Sequence, residues 1–452
     1  MRVSVVGCGY LGAVHAATLA SMGHQVVGID MDRTKVDQLS HGHAPFYEPG
    51  LDELLRHSVD AGTLRFSCDF SDAAQAEVHF LCVGTPQSKT GEGAELGHVL
   101  AATQELLRHA ADDSLIVGKS TVPVGTVAVL AELLSVRSSL RLAWNPEFLR
   151  QGTAVKDSLI PDRLVYGTEG QASPSVVASL DGVYAPLLEA GVPRIVCNFA
   201  TAELIKSASN AYLATKLSFI NAMGALCEAA GADVVALADA MGLDPRIGGR
   251  YLHAGLGFGG GCLPKDIRSL RTQAHGLGVT SLHDWMGAVD GINREQRGRA
   301  FERASRMLDG AVSGRQITVL GAAFKPDTDD IRDSPAMDLA VRLSEAGAHV
   351  TVTDPKAINN AWLRFPQLRF ESSAMSALDG AELVILATEW DVFRNLDPQA
   401  AGNAVRRKLM LDTRNVLDPE QWSLHGWEVD GLGVPGHRGD TALNRSEPSS
   451  AS

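Results

Sequence analysis

A glycine-rich segment near the start of the sequence, VVGCGYLG, places the strongest limit on how this chain can fold. The apolar run over residues 2–7 predicts a buried strand, residues 13–23 predict a helix, and residues 24–30 predict a second strand. A G-x-G-x-x-G pattern joins the first strand to the helix, and its small residues let the backbone approach a pyrophosphate at a helix N-terminus. The segment predicts a βαβ unit that binds a dinucleotide, with a turn that holds no ligand as the alternative. The expected cofactor contacts here are Gly7, Gly9, Tyr10, Leu11 and Gly12.

The end of the second predicted strand indicates which dinucleotide is bound. Asp30 stands 18 residues after the last glycine of the pattern, where an acid holds the ribose diol. A carboxylate repels a 2′-phosphate, so Asp30 favours NAD over NADP. Two further apolar runs, 77–86 and 115–123, predict strands with polar carboxyl ends, where open α/β sheets bind ligands. Thr85 and Thr121 are therefore cofactor or substrate candidates, unless they only form turns.

Length and charge limit the class of protein. A chain of 452 residues can form two or three domains with a large core. The formal net charge of −13 argues against a general binder of nucleic acid or of a membrane surface, because phosphate contacts need a basic footprint. The six cysteines are scattered without a C-x-x-C pair. This pattern favours reduced thiols in a cytoplasmic protein over a disulfide framework or a zinc site.

The remainder of the chain predicts a long helix and a second α/β region. Residues 200–230 form a helical pattern without proline, and its length suits a connector between two domains. Lys206 and Asn210 share one face of this helix at i, i+4, which without context favours a solvated polar pair. The second region, from about residue 315, alternates strands and helices but lacks the glycine pattern. The expected fold is α/β, with two doubly wound Rossmann-like domains joined by a long central helix.

Cys262 lies in the segment GFGGGCLPKD, and its role is open from the residues alone. A cysteine is commonly a small buried hydrophobic residue. The glycines before Cys262 nevertheless allow a loop to close on a ligand, and Lys265 and Asp266 follow at once. A nearby cation lowers the pKa of a thiol and favours a nucleophilic thiolate. We therefore expect Lys265 to lower the pKa of Cys262 if this cysteine is a nucleophile.

The chain resembles the nucleotide-sugar 6-dehydrogenase family from VGCGYLG to about residue 435. Seven further motifs occur in order: GKSTVPVGT (118–126), NPEFLRQGTAV (145–155), ELIKSASNAYLATKLSFIN (203–221), DPRIGG (244–249), GFGGGCLPKD (257–266), AFKPDTDDIRDS (323–334) and DTRNVL (412–417). The resemblance implies an NAD-binding domain over 1–199, a central helical domain over 200–300 and a nucleotide-sugar domain over 301–436. Residues 437–452 are polar and are expected to be disordered.

The resemblance also implies a reaction and its catalytic residues. Family members oxidise C6 of a sugar nucleotide, UDP-glucose or a relative, to a carboxylate with two NAD+. On this template Cys262 adds to the C6 aldehyde and carries a thiohemiacetal and then a thioester. The implied partners of Cys262 are Lys206 and Asn210 at the developing alkoxide, Asp266 and Thr121 for water and proton transfer, and Glu147 in thioester hydrolysis.

The same resemblance implies two sets of binding residues. Besides the glycine-rich turn, the cofactor side consists of Asp30, Lys35, Thr85, Pro86, Thr121, Lys265 and Arg332. Besides Lys206 and Asn210, the substrate side consists of Phe148, Leu149, Arg150, Arg246, Tyr251, Gly255, Phe258, Gly259, Phe324, Lys325 and Arg414. In the family the arginine equivalent to Arg246 reaches the substrate of the neighbouring subunit, which implies at least a homodimer.

The sequence departs from the family pattern at one position, and several alternative functions stay open. Gln151 stands where many relatives have a glutamate, so we assign no general-base role to position 151. Gly261 varies among relatives and predicts nothing. The same chemistry on TDP-glucose, GDP-mannose or a UDP-N-acetylhexosamine is the main alternative. A non-catalytic sensor would not need Cys262, Lys206 and Asp266, and a 3-hydroxyacid dehydrogenase would not need Cys262.

Overall fold

The structure is a computed structural model that describes residues 1–88, 91, 93–170 and 173–435. It is an α/β protein, as the sequence predicts. The strands in the described residues are β1 Arg2–Val6, β2 Gln25–Ile29, β3 Leu64–Ser67, β4 Val78–Leu81, β5 Leu115–Gly118, β6 Arg141–Trp144, β7 Leu164–Thr168, β8 Arg194–Asn198, β9 Gln316–Leu320, β10 His349–Thr353, β11 Arg369–Phe370, β12 Leu383–Leu386, β13 Leu409–Asp412 and β14 Glu428–Gly431.

Helices alternate with these strands through most of the chain. The α-helices of the described residues are α1 Tyr10–Ser21, α2 Arg33–Ser40, α3 Leu51–Asp60, α4 Gly97–His109, α5 Thr126–Leu134, α6 Ala154–Leu159, α7 Pro174–Val183, α8 Ala185–Glu189, α9 Phe199–Ala230, α10 Val234–Gly242, α11 Leu263–Gly276, α12 Thr280–Met307, α13 Pro335–Glu345, α14 Ile358–Arg364, α15 Ala374–Leu378, α16 Asp391–Arg394, α17 Pro398–Ala404 and α18 Pro419–Leu424. A short 3₁₀ helix covers Phe70–Ala73.

The chain separates into two compact units. The first unit consists of residues 1–216, 258–291 and 323–333, and the second unit consists of the other described residues. Helix α9 has residues in both units. The predicted disordered tail, 437–452, lies outside the described residues.

The first unit contains an eight-stranded sheet in the order β3-β2-β1-β4-β5-β6-β7-β8. All neighbouring strands are parallel except β6 and β7. The central strands β1, β4 and β5 are almost continuously apolar because helices cover both faces of a parallel sheet. The strand order changes direction between β1 and β4, and this point is where doubly wound sheets bind a dinucleotide.

The second unit contains a six-stranded parallel sheet in the order β11-β10-β9-β12-β13-β14. Counted from its own first strand, this order is the same 3-2-1-4-5-6 arrangement that opens the first sheet. Its central strands, β9, β12 and β13, are buried along nearly their whole length. The second α/β region of the sequence is therefore a second doubly wound sheet. In the described part of the chain, every helix is too short or too polar to cross a bilayer.

Candidate active site

The glycine-rich turn leaves room for a pyrophosphate directly before α1. A Cβ on Gly9 would have no heavy atom within 4 Å, so the space above this residue is open. A Cβ on Gly12 would lie 1.9 Å from the carbonyl oxygen of Gly7, so the close approach of helix and turn requires glycine there. Gly9 supplies no side-chain cap to α1, which leaves the N–H groups of the first helical turn for an anionic ligand. The turn therefore fits the pyrophosphate of a dinucleotide.

Asp30 follows β2 and faces the same turn. Its Oδ2 accepts a hydrogen bond from the Cys8 N–H at 2.9 Å and from Lys35 Nζ at 2.9 Å. Its Oδ1 accepts one from the Asp32 N–H at 3.0 Å. These contacts fix the carboxylate beside the turn, in the position from which an acid holds a ribose diol. The residues present thus fit NAD, and Lys35 pairs with the Asp30 carboxylate.

The ends of β4 and β5 and the start of α11 carry the next group of cofactor candidates. Thr85 Oγ1 donates a hydrogen bond of 2.7 Å to the Thr121 carbonyl oxygen. Lys265 Nζ lies 3.4 Å from Thr85 Oγ1 and 3.0 Å from Asp266 Oδ1. Thr121, Lys265 and Asp266 also line one small cavity of the first unit. The Pro86 carbonyl oxygen accepts the Glu95 N–H at 2.8 Å, which holds the loop after β4.

Two buried polar contacts, Lys206 with Glu147 and Asn210 with Asp266, form the chemical centre of the first unit. Lys206 Nζ of α9 lies 2.9 Å from Glu147 Oε1, and both side chains are less than 10% exposed. The other oxygen of Glu147 accepts the Leu149 N–H at 2.8 Å. One turn further along α9, Asn210 Nδ2 donates a 2.6 Å hydrogen bond to Asp266 Oδ2. Lys206 and Asn210 are thus buried, and the solvated pair favoured by spacing alone is wrong.

Lys206 remains a cation in this environment. Burial acts to lower its pKa. The charges of Glu147, Cys262 and Asp266 and the hydrogen bond to Glu147 raise the pKa by more than burial lowers it. The net effect places the pKa of Lys206 above its ordinary value. A buried ammonium with a fixed partner can stabilise a developing alkoxide without reorganising. Lys206 is therefore suited to stabilise negative charge rather than to remove a proton.

Cys262 is the N-cap residue of α11, at the end of the glycine loop. Gly260 has φ +85°, and a Cβ on it would lie 2.8 Å from the Phe324 ring. A Cβ on Gly261 would lie 2.5 Å from the Arg332 guanidinium carbon. The loop therefore packs tightly against the segment 323–333, and this packing gives Gly261 a role that the sequence did not indicate.

Lys265 acts to lower the pKa of Cys262, as expected, but stronger effects raise the net pKa. The residue is accessible to solvent, but protein atoms surround its thiol, and this burial raises its pKa most strongly. Asp266 and Glu147 raise it further, while Lys206 and Lys265 lower it by less. The net pKa is above the ordinary thiol value, so Cys262 is a protonated thiol at neutral pH. A nucleophilic attack by this sulfur must therefore release its proton as the new bond forms.

Several expected substrate residues of the first unit already have partners. The Arg163 guanidinium lies 3.9 Å from the centre of the Phe148 ring. Arg150 forms two hydrogen bonds to Asp157, with Nε at 2.9 Å and Nη2 at 2.6 Å. Burial lowers the pKa of Lys325. Phe258 and Gly259 are buried within the glycine loop.

The remaining expected substrate residues belong to the second unit. The Gly255 N–H donates to Asn221 Oδ1 at 2.8 Å, and Arg414 Nε donates to the Ala387 carbonyl oxygen at 2.7 Å. Tyr251 adopts a left-handed conformation with φ 63°. The Arg246 side chain is 87% exposed and pairs with Asp244. Arg246 is therefore presented at the surface rather than packed inside its own unit.

Five polar side chains outside the predicted site residues also belong to this centre. Lys119 Nζ and the Tyr184 hydroxyl both donate to Asn145 Oδ1, at 3.0 and 2.6 Å. Asp330 Oδ2 accepts from Gln151 Nε2 at 3.0 Å and also binds the guanidinium of Arg332. Glu48 accepts N–H groups that follow the NPEF segment. Lys119 and Asn145 lie within the quoted motifs, whereas no sequence signal marked Glu48.

The doubly wound sheet, the glycine turn with Asp30, and the buried Lys206–Glu147 pair beside a cysteine define an NAD-dependent dehydrogenase. Comparison with known families identifies the group. Residues 1–188, 200–295 and 318–419 match the NAD binding, central and UDP binding domains of the UDP-glucose/GDP-mannose dehydrogenase family. The chain belongs to this family.

Individual relatives cover almost the whole chain. A protein of Rickettsia typhi named UDP-glucose 6-dehydrogenase is 38% identical over 96% of this chain and 99% of its own length. A Pseudomonas aeruginosa protein of the same name is 38% identical over 96% of this chain and 98% of its own. The solved structure of a UDP-glucose dehydrogenase from Pyrobaculum islandicum is 36% identical, covers 96% of this chain and 98% of its own, and superposes with a TM-score of 0.87.

Proposed function

We propose that this chain oxidises C6 of UDP-glucose to the carboxylate of UDP-glucuronate, through a thiohemiacetal and a thioester on Cys262. The observation that carries the proposal is the position of Cys262 at the start of α11, electrostatically coupled to Lys206, Glu147 and Asp266. Relatives at 36–38% identity over nearly the full length carry the name of this activity. NAD+, which the glycine turn and Asp30 would hold, would supply the hydride acceptor for both oxidations, so each sugar would yield two NADH.

In the first oxidation the C6 hydroxyl loses its proton and C6 becomes an aldehyde. The Lys206 ammonium stabilises the negative charge that develops on the C6 oxygen. Asn210 holds Asp266 beside this position through its 2.6 Å hydrogen bond. Asp266 and Thr121 are the groups proposed to position water and to pass the released proton onward.

In the second oxidation the Cys262 sulfur forms a bond to the aldehyde carbon, and the thiol proton leaves. The resulting thiohemiacetal has a C–H bond that can give up a hydride, whereas the bare aldehyde is a poor donor. Loss of the hydride yields a thioester. Water then attacks the thioester carbon, the sulfur leaves as the thiol, and Glu147 accepts the proton of the attacking water. Glu147 is already fixed for this role by Lys206 and the Leu149 N–H.

The sugar nucleotide is proposed to bind the substrate residues that the family resemblance implies. Phe148, Leu149, Phe324 and Lys325 lie in the first unit, and Gly255 and Arg414 lie in the second. The exposed side chain of Arg246 supports a homodimer in which this arginine reaches the partner's substrate. The free cysteines of the described chain support a reducing, cytoplasmic location.

The test is to count NADH per sugar with limiting UDP-glucose and excess NAD+. Two NADH per UDP-glucose are expected for the native chain. Cys262→Ser should give at most one, because a neutral serine hydroxyl adds to the aldehyde far less readily than a cysteine sulfur, so the second hydride donor does not form. Two NADH from the serine variant would remove the covalent relay from the mechanism. One NADH from the native chain would make it an alcohol dehydrogenase that stops at the aldehyde.

The same chemistry on another nucleotide sugar is the second candidate. One solved structure, a UDP-D-ManNAc dehydrogenase from Pyrococcus horikoshii, is 25% identical with a TM-score of 0.82. The same assay with UDP-N-acetylmannosamine or TDP-glucose separates the candidates. A kcat/KM higher than that for UDP-glucose would move the assignment to that sugar, because a single methyl or hydroxyl contributes only about 1–3 kcal/mol to discrimination.

A further inference from the structure

Glu48 is a buried carboxylate that none of the proposed chemical steps uses. Its Oε2 accepts the Gly152 N–H at 2.6 Å and the Tyr10 hydroxyl, and its Oε1 accepts the Ala154 N–H at 2.6 Å. The Gly152 N–H also lies 3.2 Å from the Tyr10 hydroxyl oxygen. The residue is 5% exposed, so these contacts replace water rather than compete with it.

The two sides of Glu48 belong to different ligand sites. Tyr10 is the first residue of α1, within the turn that fits the cofactor pyrophosphate. Gly152 and Ala154 lie two and four residues after Phe148–Arg150, the segment proposed to hold the nucleotide sugar. Glu48 itself precedes α3 and lies 104 residues from Gly152 in sequence. One carboxylate therefore joins the cofactor turn to the substrate segment.

We propose that Glu48 is a positioning residue that, through the Tyr10 hydroxyl, couples binding of NAD to binding of the nucleotide sugar. When NAD binds, it orders the glycine turn and so fixes Tyr10. Tyr10 then fixes the Glu48 carboxylate, which in turn fixes Gly152 and Ala154 for the nucleotide sugar. The same contacts act in reverse when the nucleotide sugar binds first. The inference rests on the proposed function only in requiring that both ligands bind this chain.

Neighbouring contacts explain why the contact between Tyr10 and Glu48 is rigid. The Tyr10 ring packs on Phe46 with the ring centres 4.7 Å apart, so the hydroxyl has one preferred direction. Burial and the hydrogen bond to Glu48 raise the pKa of Tyr10, so Tyr10 keeps its proton and remains the donor. A carboxylate that accepts several donors in a dry site is costly to displace. The contact set therefore moves as a unit, so a shift of Tyr10 on binding of one ligand is passed to Gly152 and Ala154.

Tyr10→Phe is the direct test, because it removes one hydroxyl and keeps the ring on Phe46. Calorimetry should measure the Kd of UDP-glucose and of UDP for the full-length chain, each with and without saturating NADH. For the native chain we expect NADH to tighten both ligands at least about fivefold, the lower end of typical coupling between sites. For Tyr10→Phe this ratio should fall to about one, with the Kd of UDP-glucose alone nearly unchanged.

The matched control is Tyr166→Phe, which removes another buried tyrosine hydroxyl of the first unit, in β7, that does not touch Glu48. This control should keep the native ratio. Glu48→Gln should weaken UDP-glucose binding even without cofactor, because an amide oxygen cannot accept all the donors. Circular dichroism and a melting curve verify that each variant is folded.

Equal ratios for the native chain and Tyr10→Phe would overturn the coupling, as would a native ratio of one. Failure of the proposed function has a different signature. If UDP-glucose does not bind the native chain but UDP does, the sugar assignment is wrong and the UDP ratios still decide the coupling. If neither binds while NADH does, both the UDP-sugar assignment and the coupling are wrong.

Discussion

At the scale of single residues, the buried ion pair of Lys206 and Glu147 determines what the centre can do. The 2.9 Å contact lies in a site where both side chains are nearly inaccessible to water. A charge pair in such a place is costly to desolvate, and removing one partner leaves the other uncompensated. Its retention beside Cys262 is better explained by chemistry than by stability, because an apolar pair would serve stability as well.

Lys206→Met should lower kcat at least about 100-fold, because the variant loses the cation at the C6 oxygen. The variant should also unfold about 3 kcal/mol more easily, since Glu147 is left buried without its partner. Steady-state kinetics and urea unfolding at pH 7.5 measure the two effects. Lys206→Met/Glu147→Gln is the matched control, and it should regain stability but not activity. A single variant with native kcat would remove Lys206 from the reaction.

Gln151 is the residue at which this chain departs from many relatives, and its partner explains the consequence. Gln151→Glu would place a carboxylate against Asp330, which is held by Arg332. Repulsion raises the pKa of the new glutamate, so the variant should match the native stability near pH 4.5 and lose about 1–2 kcal/mol by pH 8. Urea unfolding at both pH values measures this difference.

The control for this position is Gln151→Met, which removes the hydrogen bond without adding charge. Its loss of stability should be the same at both pH values. A glutamate variant with the same pH-independent loss would mean that Asp330 does not face position 151 in solution.

At the scale of elements, sequence patterns predict β1, β2, β4 and β5 of the first sheet and miss β3, β6, β7 and β8. The runs that become β1, β2, β4 and β5 are mostly apolar, since they are buried on both faces. The edge strand β8 was not predicted because most of its residues are exposed and its pattern is weak. The hydrophobic pattern of a segment reflects its burial, so a strand whose residues are mostly exposed has a weak pattern.

The same limit applies to the candidate site. The glycine turn, Asp30 and the cysteine loop are local motifs that sequence spacing reveals. The contact of Gln151 with Asp330 joins positions 179 residues apart, and that of Glu48 with Gly152 joins positions 104 apart. Such contacts depend on how the sheet places loops beside one another, so only the three-dimensional structure brings them together. The net pKa of Cys262 likewise depends on burial, which raises it most strongly and which the sequence around the cysteine does not reveal.

Lys119 illustrates how a buried charge joins two elements. It follows β5, and its Nζ donates to Asn145, which follows β6. Burial lowers the pKa of Lys119 to about 8, whereas an unfolded lysine stays protonated to about 10.4. Between these values the unfolded chain binds more protons, so the contribution of Lys119 to stability rises with pH. Lys119→Met should lack this rise.

Urea unfolding of both proteins at pH 7.5 and pH 10 measures the effect. The native chain should gain about 2 kcal/mol over the variant on moving to the higher pH. Lys119→Arg keeps a charge throughout and should likewise show no gain. A native chain whose advantage over Lys119→Met does not change with pH would mean that Lys119 titrates as an ordinary exposed lysine.

At the scale of the whole molecule, the two sheets begin with the same strand order but differ in the residues at their strand ends. The first sheet carries a glycine turn that admits a pyrophosphate, and the second sheet, in the region matched to the UDP binding domain, lacks that pattern. A fold alone therefore does not assign a ligand, and the residues at the strand ends decide it. The first unit also holds buried histidines in its core, and these make its stability depend on acidity.

His79 lies in β4 with no exposed surface, and its Nδ1 forms a 2.7 Å hydrogen bond with Ser4 Oγ. Burial lowers the pKa of His79 to about 4, so the folded chain binds fewer protons than the unfolded chain between pH 4 and about 6.5. The contribution of His79 is complete above pH 6.5 and is lost as the pH falls toward 4. From pH 7.5 to pH 5 the native chain should lose about 2 kcal/mol through this group, and His79→Gln should not.

Urea unfolding at the two pH values, followed by tryptophan fluorescence, measures the difference between the native chain and His79→Gln. The matched control is His57→Gln on α3, where the histidine is exposed and the acid loss should remain native. Because β4 lies between β1 and β5 at the centre of the first sheet, protonating His79 opposes formation of the sheet that carries the cofactor turn. We therefore expect acid to weaken NADH binding in parallel with stability, and His79→Gln to weaken both less steeply. An acid loss that is identical in the native chain and in His79→Gln would place the acid sensitivity in other groups.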